Sequence, residues 1–145
     1  MYEILKHTHS GLRWVVLALL VTAIFRAIVG KKSGKYEKSD KMINLFAMIS
    51  LHLQVTLGII LALVTEKQFY VSGWMKSAVN RFYGMEHILM MVLAAVIITI
   101  GRKKAEKTAD LSKRHATILV WFTVTLIIIF AGIPWPFRNL GGAWF

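Results

Sequence analysis

Long apolar runs alternate along the chain with short linkers that are mostly basic. Four runs approach or exceed the ~18 residues of a membrane helix. They cover residues 12–29, 42–64, 88–100 and 116–133. Arg13 and Arg26 break the first near its two ends; Asn44, Ser50, His52, Gln54 and threonines interrupt the second. The semi-polar "RFYGMEH" lengthens the third, and Pro134 and Pro136 end the fourth because proline cannot continue the helical hydrogen-bond ladder. No segment alternates with period two, which excludes a membrane β-barrel. The pattern predicts an all-α integral membrane protein with spans near 10–29, 42–64, 82–101 and 115–133. Short linkers make consecutive spans antiparallel neighbours, so residues 1–145 form a single up-down four-helix bundle. The opening "MYEILKHTHSGLRW" lacks the basic start and small-residue cleavage site of a secretory signal.

The formal charge of +11 would suit nucleic acid if it formed one stripe. Instead "GKKSGKYEKSDK" carries five lysines and "RKKAEKTADLSKR" six basic residues, both at helix ends on one side. The positive-inside rule makes that side cytoplasmic, with both termini and the loop "TEKQFYVSGWMKSAVNRFYG" outside. Trp14, Trp74, Tyr83, Trp135 and Trp144 fall near that outer boundary as an aromatic belt. The partner so implied is a lipid bilayer rather than nucleic acid. The absence of cysteine removes disulfides, zinc–thiolate sites, iron–sulfur clusters, c-type haem attachment and thiol nucleophiles. No Ser–His–acid set and no glycine-rich phosphate loop is visible.

Ionisable residues in spans are costly and usually face the bundle interior or water. Of the five histidines, His7 reads as an outer-interface residue and His115, after Lys113 and Arg114, as an interfacial one. His52 lies ~16 Å deep from Lys41 at 1.5 Å per residue, where Gln54, Ser50 or Thr56 could share a hydrogen-bond network with it. His9 and His87 make a sharper pair. They sit seventeen residues before Arg26 and fifteen before Arg102. With these arginines as inner anchors, the two imidazoles match in depth to within ~3 Å. They stand on helices that run in the same direction and lie diagonally across the bundle.

Two diagonal imidazoles at one depth in an apolar core suit axial ligation of a haem iron. Arg13, Arg81 and Arg138 can approach the outer end, where the planar guanidinium suits propionate carboxylates. Glu86 could orient an imidazole through its second nitrogen. His52 and His115 are the alternative ligands, on the other diagonal but at depths that differ by roughly 12–15 Å. A bare zinc or copper site of three or four histidines with a glutamate meets the same objection.

"HTHSGLRW", "SLHLQVTLGIILAL", "RFYGMEHILMMV" and "KRHATILVWFTVTLIIIFAGIPWPFR" together resemble the small bacterial four-helix membrane proteins of the cytochrome b type, over nearly the whole chain. A looser similarity runs to one four-helix half of haem A synthase. There too histidines near the outer ends of two co-directional helices flank a haem, with a glutamate close to one of them. The resemblance implies a b-type haem between His9 and His87, in a multi-pass protein of the bacterial inner membrane. Such a protein would transfer electrons or serve as a haem-bearing subunit of a respiratory complex, a role that the resemblance favours over that of a stand-alone enzyme without deciding between them. The alternative is a cofactor-free accessory or assembly subunit whose histidines hydrogen-bond between helices; quinone chemistry is a further one.

Overall fold

The computed structural model describes residues 2–142 and 144, with backbone only for 66–68. Four long helices dominate: α1 (Tyr2–Ser33), α2 (Lys38–Phe69), α3 (Ala78–Lys107) and α4 (Leu111–Gly132). No strand is present among the described residues. Neighbours α1–α2, α1–α4 and α3–α4 pack closely, and α2–α3 more loosely, which leaves α1 and α3 diagonal in an up-down bundle.

All four helices are long and apolar enough to cross a membrane, and only 22–33% of each apolar window is buried. Phe25, Leu63, Leu89, Val120 and Ile127 point outward instead. A water-soluble bundle hides its large apolar side chains; this surface suits lipid, and the chain reads as a multi-pass membrane protein. At ~1.5 Å per residue α1 is ~48 Å long and overruns a ~30 Å hydrocarbon core, whereas α4 is ~33 Å.

One end of the bundle carries the lysine-rich α1–α2 and α3–α4 connections and is closely packed. Asp110 caps α4 by accepting from Lys113 N at 2.9 Å. Asp40 binds both Glu37 N (2.8 Å) and the Arg26 guanidinium (2.7 Å), tying the α1–α2 turn to α1. Small residues let the helices close in below it. Ala23, Ala27, Ala47, Ala94 and Ala105 are buried there with Ile98, Ile118 and Phe122. The approach is so tight that a Cβ on Gly101 would stand 2.2 Å from Cβ of Trp121, and one on Gly30 2.2 Å from the His115 ring. Small residues at helix contacts are the membrane solution to packing without a hydrophobic drive between helices.

At the other end α3 is interrupted by a π-helical turn, Phe82–Glu86, and α4 stops at Gly132. After the two prolines the chain doubles back, and Asn139 takes a left-handed conformation (φ 54°). Residues 139–142 and Trp144 form a strap across the side that the short α4 leaves open.

Candidate functional site

On α1 the residues Tyr2, Lys6, His9, Arg13, Val16 and Leu20 recur every three or four positions and form one stripe. Above Leu20 this stripe lines a cavity of about 450 Å³. α2 contributes Leu51, Gln54, Gly58 and Thr65; α3 contributes Val79, Tyr83, His87 and Met91; the strap contributes Leu140, Gly141 and Gly142. The volume lies within the range of small-molecule and cofactor sites, and the walls are mostly apolar, as such sites are.

His9 and His87 meet across this cavity, with ring centroids 6.2 Å apart and planes at 78°. His87 Nδ1 lies 2.7 Å from the Gly132 carbonyl at the end of α4. A carbonyl only accepts, so Nδ1 carries the hydrogen and, in the neutral ring, Nε2 holds a lone pair. No hydrogen bond to Nε2 of either histidine occurs among the described residues. His9 Nδ1 is buried and unpartnered: the Gln54 main-chain carbonyl faces the ring without closing a hydrogen bond. Gly58 makes the close approach of α2 feasible, since a Cβ there would lie 2.9 Å from His9 Cε1. The Gln54 side chain links the two helices by donating to the His9 carbonyl at 2.8 Å, and its Oε1 is left buried without a partner.

The other residues singled out in the sequence are distributed around this pair. Arg13 lines the cavity one turn beyond His9, donates to the Trp144 carbonyl at 2.7 Å and stacks on Trp14 and Trp135. Arg81 binds Glu86 at 2.6 Å across the π turn, so the Glu86 carboxylate meets a guanidinium rather than an imidazole. Arg138 donates to the Ala131 and Ile133 carbonyls, capping α4, and lies over the Phe82 ring. Neither Arg81 nor Arg138 lines the cavity. Lys6 does line it and is the cation that the sequence reading missed; the three–four stripe through His9 was the signal for it.

His52 and His115 stand apart. His115 is buried at the basic end, where Nε2 donates to the Lys35 carbonyl at 2.8 Å and its ring meets Tyr36. His52 faces outward; Nδ1 donates to Met48 O at 2.8 Å within its own helix, and Nε2 lies 3.3 Å from Thr99 Oγ1. Gln54 and Ser50 turn to other partners, and Thr56 donates to the His52 carbonyl. No group of three or more His, Asp or Glu side chains converges as a metal site among the described residues.

No family model, curated protein or solved structure matches this chain.

Proposed function

We propose that this chain is a b-type haem protein of the membrane, in which His9 and His87 would hold the iron, resembling the small bacterial cytochromes b. The observation that carries the reading is the facing pair of imidazoles on diagonal helices. The ring centroids stand 6.2 Å apart, and two neutral imidazoles are ligands of the kind that would hold a haem iron. Three further features support it. His87 is held in the tautomer that offers Nε2. The cavity beside the pair is apolar and long, ~21 Å from Tyr2 to Val16 along α1. Lys6 and Arg13 line it as cations for carboxylates.

Bound there, the iron supplies one-electron redox chemistry. The chain fixes the His87 ring through the Gly132 carbonyl and holds α1 against α2 through Gln54. In the cell the protein passes electrons or carries haem within a respiratory complex of the bacterial inner membrane. The eleven basic residues of the two lysine-rich connections lie on the cytoplasmic side and the termini outside, by the positive-inside rule.

A reduced-minus-oxidised spectrum of the detergent-purified protein tests this. The expected result is a bis-imidazole haem spectrum that His9→Ala and His87→Ala each abolish and His115→Ala leaves intact. A bis-histidine spectrum surviving in His9→Ala moves the assignment to His52 or His7. A second reading draws on specific contacts: Gln54 to the His9 carbonyl and His87 to Gly132 both cross between helices. On that reading the chain is a cofactor-free accessory subunit, and the preparation from haem-replete cells is colourless.

A further inference from the structure

The two imidazoles are held very differently. His87 has a carbonyl on Nδ1 at 2.7 Å, and a hydrogen bond at that nitrogen both fixes the ring and raises the basicity of the other nitrogen. A second restraint comes from the π turn. Its extra residue places Phe82, five positions earlier, against the His87 ring, with centroids 5.7 Å apart. Phe82 is itself buried and has the Arg138 guanidinium over its face. The turn is braced twice: Arg81 spans it to Glu86, and the Tyr70 hydroxyl donates to the Gly84 carbonyl at 2.5 Å.

His9 is held by less: the Gln54 main-chain carbonyl faces its ring without closing a hydrogen bond. Its Nδ1 is buried without a partner. It stands in the third turn of α1, preceded by exposed Glu3, Ile4, Lys6, His7 and Thr8. On one side its Cε1 presses on the backbone of α2 at Gly58; on the other lies the 450 Å³ cavity. The ring therefore has little to lose by moving and space to move into.

We infer that His87 is the fixed ligand and His9 the exchangeable one, so that a small neutral molecule of the carbon monoxide, nitric oxide or dioxygen class takes the position of His9 on the reduced iron. The exchange would break the bond to His9 Nε2 and form one to the incoming molecule; carbon monoxide, a two-electron donor like the imidazole it replaces, needs no oxidant or reductant. The inference rests on the haem reading above and gives the site a ligand-binding activity beyond electron transfer.

Carbon monoxide is the probe. Dithionite-reduced, haem-loaded protein in detergent is titrated with it and followed by difference spectroscopy. The wild type is expected to convert to the carbon monoxide adduct. Affinity should rise at least about tenfold in His9→Ala, because the competing internal ligand is gone and the competent fraction approaches one. Gly58→Ala offers a second variant that leaves both imidazoles in place: its Cβ crowds His9 Cε1 at 2.9 Å and should also tighten binding. Reduced, haem-loaded wild type with a spectrum unmoved by saturating carbon monoxide overturns the inference and leaves the bis-histidine haem standing. Tighter binding in His87→Ala than in His9→Ala reverses the assignment of the two roles. A colourless preparation removes the proposed function itself, and this inference with it.

Discussion

The same four helices make a closed half and an open half. At the basic end alanine and glycine bring the backbones together, and buried Ile98, Ile118 and Phe122 fill what remains. At the other end larger and more polar residues occupy the same inward stripe: Lys6, His9 and Arg13 on α1, Gln54 on α2, His87 on α3. The cavity lies where the stripe changes composition, beside the π turn of α3 and past the end of α4. Polar groups that must be satisfied hold the walls apart, while small apolar ones let them collapse.

Four substitutions probe that contrast, from the largest expected effect to the smallest. Gly101→Ala attacks the closed half, where the new Cβ meets Trp121 Cβ, an atom fixed to its backbone. Overpacking of this kind typically costs about 1–3 kcal/mol and sometimes more, and the upper end is expected here as a lower midpoint of thermal unfolding in detergent. His115→Ala empties a fully buried site against Gly30 and strips the Lys35 carbonyl of its donor. A loss of about 2–3 kcal/mol follows, with the spectrum of the proposed haem unchanged; a spectral loss without unfolding would move His115 into the proposed ligand set.

Gly58→Ala is the matched change in the open half. Its nearest neighbour is the end of a ring that can turn into the cavity, so stability should fall by less than about 1 kcal/mol while the spectrum of the proposed haem shifts. Equal destabilisation by Gly58→Ala and Gly101→Ala would mean that the two halves are equally rigid. The smallest effect concerns the Tyr36 phenol in the α1–α2 connection. Burial pushes it above the usual phenol range against the opposing Asn44 hydrogen bond. The unfolded chain ionises first, so the stabilisation is complete below about pH 10 and fades as pH rises beyond it. Tyr36→Phe should flatten the alkaline limb of a stability-versus-pH curve.

Much of this was legible because a membrane span is written in hydropathy. The four runs appear as four helices, each extending past its apolar run into polar sequence, since backbone bonding does not stop where apolar side chains do. Depth was legible too: counting back from Arg26 and Arg102 puts His9 and His87 level, and their rings meet. What counting cannot give is rotation about the helix axis. Arg81 and Arg138 lie at the same end as the pair, yet one grips Glu86 and the other caps α4. The π turn was invisible for the same reason, because "FYGME" has nothing in its composition that demands an extra residue per turn. Lys6 falls on the same three–four stripe as His9, but the arginine fork fits carboxylates better and points first to Arg13, Arg81 and Arg138.

The strap has a practical consequence. Trp144 sits on Arg13 and Trp14, and Tyr2 lines the cavity. Tyr2 and Trp144 therefore both stand at the mouth of the site. A tag or reporter joined beside either residue becomes part of the doorway, able to block access to the cavity or to pry the strap away. The turn around Gly34, whose neighbours are exposed at the far end of the bundle, is the position at which an affinity handle leaves that doorway as it is.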